Sequence, residues 1–139
     1  MQIRTFTAND TDTVIQLWQD CGLTRPWNNP ALDIERKLKV DSDLFLVGVQ
    51  GSHLVATLMG GYDGHRGWVN YLAVSPNCQG AGLGRLIMEN FEARLLQRGC
   101  PKINLQIRSG NQSVIDFYNA IGYSDDNAVS MGKRLIPDE

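Results

Sequence analysis

The chain has 139 residues, 42% apolar and 20% charged, enough for one compact domain with a real core and too few for two. Thirteen basic against fifteen acidic residues leave a net charge of −2, which supplies no general attraction for nucleic acid. No apolar run approaches the roughly 18 residues of a membrane span, and Met1–Phe6 lacks the basic head and long apolar stretch of a secretory leader, so no membrane partner is expected.

Residues 2–6 read as a short strand, after which Thr7 or Asn9 can cap a helix by accepting bonds from its free N–H groups. Val14, Ile15, Leu17 and Trp18 give that helix an apolar face, and Gly22 closes it. Two prolines, Pro26 and Pro30, make 25–30 a loop. A short helix over 31–39 follows, with Ile34 and Leu38 one turn apart. Leu44–Val49 and Leu54–Gly60 form an antiparallel hairpin, and a glycine-rich bend over 60–67 leads to a strand at Trp68–Val74 that Pro76 helps to end. Leu83, Leu86, Ile87, Phe91 and Leu95 then recur at steps of three and four, as on one face of a helix stopped by Gly99 and Pro101. Residues 103–107 alternate as a half-buried strand. Val114, Phe117, Tyr118 and Ile121 mark a last helix between Asn111 and Gly122, and Tyr123–Ile136 is expected to supply one or two closing strands. The alternation of strands and helices indicates a mixed α/β domain over 1–139, without repeats or linkers.

Cys21, Cys78 and Cys100 are odd in number and widely spaced, with only His53 and His65 to join them. They make no zinc set, so no metal is expected, and structural thiols in a reduced, cytoplasmic setting fit best.

The turn Gln79-Gly80-Ala81-Gly82-Leu83-Gly84-Arg85 carries the most information. Three alternate glycines remove side chains that would keep a ligand from the backbone. The turn opens into a helix whose first N–H groups lack internal partners, which suits a phosphate or pyrophosphate, and Arg85 adds a positive charge. A turn that merely reverses the chain remains the alternative. The spacing is neither that of a nucleotide-binding P-loop nor that of a dinucleotide fold, which also wants an acid about 20 residues on.

The stretch Leu72-Ala73-Val74-Ser75-Pro76-Asn77-Cys78-Gln79-Gly80-Ala81-Gly82-Leu83-Gly84-Arg85 resembles the signature of the GNAT family of N-acetyltransferases, a Gln/Arg-x-x-Gly-x-Gly/Ala turn after a Leu-x-Val-x-Pro strand end. Residues 111–123, with Asn111, Phe117-Tyr118 and Gly122-Tyr123, resemble that family's second motif. The resemblance implies a mixed, mostly antiparallel sheet splayed between its two central strands after a bulge near Leu72–Val74, with about four helices. Acetyl-coenzyme A would lie in the opening as cosubstrate: its pantetheine arm along Leu72, Ala73 and Val74, its pyrophosphate on the N–H groups of Gln79, Gly80, Ala81, Gly82, Leu83, Gly84 and Arg85, and Asn111 beside the arm.

The same resemblance implies transfer of an acetyl group to a primary amine of a small molecule, peptide or protein, with Tyr118 lining the coenzyme site and protonating the leaving thiolate. From its spacing alone Tyr118 reads as a core residue, on the stripe with Val114, Phe117 and Ile121; the resemblance is what gives it the acid role. Relatives place a base at the positions of Asn70 or Gln106, both amides here that take no proton at neutral pH. Asp63, His65 and Glu35 are the remaining candidates, and a binding module with little catalysis is the alternative function. Trp27 and Tyr62 are candidates for the acceptor pocket, and a homodimer is compatible with the resemblance.

Overall fold

The computed structural model describes residues 1–138. The elements are β1 (Gln2–Thr5), α1 (Thr11–Asp20), α2 (Pro30–Lys37), β2 (Phe45–Gln50), β3 (His53–Tyr62), β4 (Gly67–Val74), α3 (Leu83–Gln97), β5 (Ile103–Leu105) and α4 (Gln112–Ala120). One sheet runs in the order β1-β2-β3-β4-β5, antiparallel except for the parallel β4/β5 pair.

Local chemistry explains the helix starts. A 3-10 turn at Ala8–Asp10 leads into α1, and Thr7 and Asp10 form a capping box there. The Asp10 carboxylate accepts from the Thr7 N–H at 2.9 Å and from Arg4 at 2.8 and 2.9 Å. Asn29 caps α2, its side-chain oxygen accepting from Ala31 N–H at 3.0 Å and Leu32 N–H at 3.3 Å, with Pro30 at the first helical position.

The sheet is covered on both faces, which is why β2 is buried at four successive residues. Phe45 and Val47 join Val14, Leu17, Trp18 and Ile34 from α1 and α2. Leu44 and Leu46 turn the other way, with Leu58, onto Ile87, Met88, Phe91 and Leu95 of α3 and Tyr118 of α4. Close approach demands glycine on this face: a Cβ at Gly60 would stand 2.2 Å from Phe91 Cε1, and one at Gly67 2.3 Å from Leu95 Cδ1.

The sheet differs from the sequence expectation at its end. Tyr123–Ile136 forms no closing strand. The segment runs beside β5, tied by side chains: Lys102 and Asn104 donate to Asp126 at 2.8 and 2.6 Å, and Gln106 donates to Ser130 at 2.6 Å. Its polar residues satisfy their own backbone instead, Asp125 accepting from the Asn127 N–H at 2.7 Å with Asn127 at φ +55°, which competes with a ladder. Val129 and Met131 consequently stay exposed. β5 is therefore last in the described sheet, and the splay lies between β4 and β5.

Candidate active site

β4 and β5 pair only at Gly67–Ile103, Trp68–Asn104 and Val69–Leu105. β5 then ends while β4 continues to Val74, so the two parallel strands part toward their C-terminal ends. The bulge is in β4: Thr57 faces Ala73 and Met59 faces Asn70, which leaves Leu58 opposite both Tyr71 and Leu72. Tyr71 takes φ +51°, a left-handed value normally left to glycine. The turn into α3 follows β4, and Asn111 precedes α4 beyond β5. Two helix N-termini thus flank the opening, and both favour negative charge.

Backbone groups on β4 divide between ladder and opening. Ser75 N–H donates to Val55 O at 2.7 Å, toward β3. Strand alternation therefore turns Ala73 toward β3 as well, and Leu72 and Val74 away from it. The Val74 carbonyl already accepts from Gln79 Nε2 at 3.0 Å and from the Cys21 thiol at 3.3 Å. The N–H groups of Leu72 and Val74 are the ones left for a ligand.

In the turn, Gly80 and Gly82 have φ +84° and +79°, and Gly82 is the N-cap of α3. A Cβ at either would meet no protein atom within 4 Å. The conformation requires glycine, and the space over the amides is open. Gly84 serves differently: a Cβ there would lie 3.1 Å from Phe117 Cζ, so it lets α3 approach α4. The Leu83 side chain is buried and Ala81 is exposed. Arg85 pairs with Glu89 at 3.2 Å, both side chains more than half exposed, and so remains free to exchange partners. The Asn111 side chain accepts from Ser113 Oγ at 3.3 Å.

Tyr118 is buried against Phe117 and Tyr123, with ring centroids 5.0 and 5.6 Å away. Its hydroxyl has no hydrogen-bond partner among the described residues, yet no enclosed side-chain oxygen there is left unsatisfied; the oxygen itself keeps access to solvent. Burial raises its pKa, so the phenol stays protonated throughout the neutral range.

A groove of about 680 Å³ is lined by Trp27, Arg36, Gly132, Lys133 and Arg134, among others. Arg134 donates to the Trp27 carbonyl at 2.8 Å, Arg36 pairs with Asp138 at 2.9 Å, and the Arg108 guanidinium lies 5.4 Å from the Trp27 ring centre. No group of three or more His, Cys, Asp or Glu among the described residues is placed to hold a metal, and no helix there is long and apolar enough to cross a membrane.

Residues 11–123 match the model of the acetyltransferase (GNAT) family. The chain belongs to that GNAT family. An acetyltransferase of Sodalis glossinidius is 48% identical over 140 residues, covering 100% of this chain and 99% of the relative. Among solved structures, Ard1 of Thermoplasma volcanium matches with a TM-score of 0.76 at 24% identity, over 88% of this chain and 82% of its own. AAC(6')-Iy, solved with the bisubstrate analogue CoA-S-monomethyl-acetylneamine, matches with a TM-score of 0.78 at 12% identity, over 97% and 98%. The chain is thus an N-acetyltransferase with the fold of these structures.

In this GNAT chain the other base candidates lie elsewhere. Asp63 closes the β3/β4 turn, accepting from the N–H groups of His65 and Arg66 at 2.8 and 2.7 Å, at the end of β4 remote from Val74. These bonds hold its pKa down. His65 and Tyr62 share that turn, the Tyr62 hydroxyl donating to Gly64 O at 3.4 Å. Glu35 is exposed on α2, as is Asn70 on β4, and Gln106 is occupied with Ser130.

Sequence reasoning missed the residues around the bulge. Trp18 Nε1–H donates to Thr57 Oγ1 at 2.9 Å, and Thr57 donates to the Tyr71 carbonyl at 2.9 Å. The Tyr71 ring stacks on Trp18 at 3.8 Å and its hydroxyl donates to Asp33 at 2.6 Å. Burial and Asp33 together push the Tyr71 pKa up. One signal was available: Thr57 interrupts the apolar run of β3, and a hydroxyl buried there needs partners.

Proposed function

We propose that the chain moves an acetyl group from acetyl-coenzyme A to a primary amine of a small molecule, peptide or protein, by direct attack in a ternary complex. The observation that carries this reading is the glycine turn at the mouth of the β4/β5 opening, where a Cβ at Gly80 or Gly82 would stand in open space above the helix N-terminus. The N–H groups from Gln79 to Arg85 hold the pyrophosphate there. Leu72 and Val74 N–H groups hold the pantetheine arm on β4, and Asn111 bonds it from the α4 side.

Bound this way, the coenzyme supplies an activated acetyl thioester. An amine acceptor has a pKa near 10.4 when exposed and attacks only after losing its proton. With Asn70 and Gln106 both amides, that proton leaves through water. A bulge N–H donates to the carbonyl oxygen as negative charge builds on it. Nitrogen–carbon bond formation and carbon–sulfur cleavage then release a thiolate, which takes the Tyr118 proton. From a phenol of about 10 to a thiol of about 8.5 that step is uphill by roughly 2 kcal/mol. Burial raises the phenol, which widens that gap, while desolvation of the thiolate beside it acts in the opposite direction. The acceptor amine enters from the groove at Trp27.

A second reading is favoured by the missing carboxylates at Asn70 and Gln106: a sensor that binds acetyl-coenzyme A without turning it over. Incubation with acetyl-coenzyme A and a broad amine panel separates the two. Transfer gives an acetylated amine and one equivalent of free thiol; a sensor binds the coenzyme and yields neither.

A further inference from the structure

We infer that Thr57, with Trp18 and Asp33, acts as a positioning group for the coenzyme: the three hold Tyr71 in its left-handed bulge and thereby set the opening into which Leu72 and Val74 direct their N–H groups. The inference rests on the proposed donor site.

Four observations converge on Tyr71, the non-glycine residue that takes a left-handed backbone inside a strand. Tyr71 has φ +51° in the middle of a strand, a conformation that disfavours any side chain with a Cβ. Left alone, the strand would relax by returning Tyr71 to extended geometry, which removes the extra residue from the bulge. Every β4 residue beyond Tyr71 would then exchange sides. Leu72 and Val74 would turn their N–H groups toward β3, and Ala73 would face the opening.

The surroundings block that relaxation from three elements. The Tyr71 carbonyl is held by the Thr57 hydroxyl at 2.9 Å, from β3. The same hydroxyl oxygen accepts from Trp18 Nε1–H at 2.9 Å, from α1, so its single proton and an acceptor site are both in use. The Tyr71 ring lies flat on the Trp18 indole at 3.8 Å, and its hydroxyl is fixed by Asp33 of α2 at 2.6 Å. Thr57 is the only buried polar residue of the described core, at 0% exposure, in a strand otherwise apolar across its centre. Packing alone is served as well by valine. The hydroxyl has a purpose only in the chain from indole to bulge carbonyl.

The test compares Thr57→Val, which keeps the shape and deletes the hydroxyl, with Thr57→Ser, which keeps the hydroxyl and deletes a methyl. Coenzyme A binding is measured by isothermal titration, stability by thermal melting, and the Tyr71 backbone angle by its amide–Hα coupling in NMR. Both variants lose some stability. Thr57→Val is expected to bind coenzyme A about ten-fold more weakly, about 1.4 kcal/mol, with the Tyr71 coupling shifted toward an extended value; Thr57→Ser keeps the wild-type affinity and coupling. Equal affinity in all three proteins, or equal weakening in both variants, overturns the positioning role while leaving the donor site intact. Failure of wild-type protein to bind coenzyme A instead overturns the donor site, and the coupling still decides whether Thr57 holds the bulge. Should Thr57→Val not fold, Asp33→Ala at the partly exposed end of the lock replaces it: a several-fold loss of affinity supports the role, and no change overturns it.

Discussion

Gly82→Ala separates backbone strain from ligand obstruction. Gly82 caps α3 at φ +79°, and an added Cβ meets no protein atom within 4 Å. The folded protein therefore loses only the cost of a left-handed alanine, about 1–2 kcal/mol, or a fall in Tm of roughly 4 °C for each kcal/mol in a chain of this size. Gly99 provides the control: it follows the other end of the same helix at φ +82°, and a methyl added there again meets nothing within 4 Å. Gly99→Ala should lower Tm by the same amount. The two should part on coenzyme A, because the methyl of Gly82→Ala stands over the amides assigned to the pyrophosphate and that of Gly99→Ala does not. Isothermal titration should give at least a ten-fold weaker Kd for Gly82→Ala, about 1.4 kcal/mol, and an unchanged Kd for Gly99→Ala. Matching wild-type affinity in both would refute the assignment of the turn to the pyrophosphate.

Tyr118→Phe should reduce kcat by about 10- to 100-fold, toward the lower end of general-acid effects, with coenzyme A affinity and Tm nearly unchanged because the hydroxyl gives up no protein hydrogen bond; an unchanged kcat removes Tyr118 from the chemistry. Since burial raises its pKa, the acid form persists as pH climbs, and kcat/KM should rise with amine deprotonation without a fall below about pH 10; a drop near pH 8 would contradict this. Arg4 hydrogen bonding, with the Thr7 N–H, holds the Asp10 pKa below the ordinary range. A lowered folded-state value means stability that is present above the unfolded pKa of about 3.9 and is lost as pH falls through the folded one. Asp10→Asn should therefore cost about 1 kcal/mol at pH 7, with the gap to wild type closing in melts as pH falls below the ordinary carboxylate range; a gap independent of pH would contradict the ion pair.

Much of this architecture is legible in the residues. The Leu83–Ile87–Phe91–Leu95 stripe is buried as its period implies, whereas Leu86 and Leu38, counted on the same grounds in their helices, are exposed. Periodicity locates a face but not its edge. The glycine turn could be located because Gly80 and Gly82 take positive φ that other residues avoid. The bulge falls at Tyr71–Leu72, just ahead of the expected Leu72–Val74, because nothing in a tyrosine announces a left-handed backbone; its cause lies in Trp18, Thr57 and Asp33, distant in sequence. The closing strands expected over 123–136 fail for a local reason, the Asp125–Asn127 bond that satisfies the backbone within the segment while side chains alone tie it to β5.

The most direct test of the donor site is an NMR titration of the wild-type protein with coenzyme A, up to about 1 mM, the limit of weak specific binding. The amides of Leu72, Val74 and Gly80–Arg85 should shift together and saturate, with Asn111 following and the Asp63–Arg66 turn unmoved. No saturation, or saturation with shifts confined to residues away from the β4/β5 opening, would contradict the account.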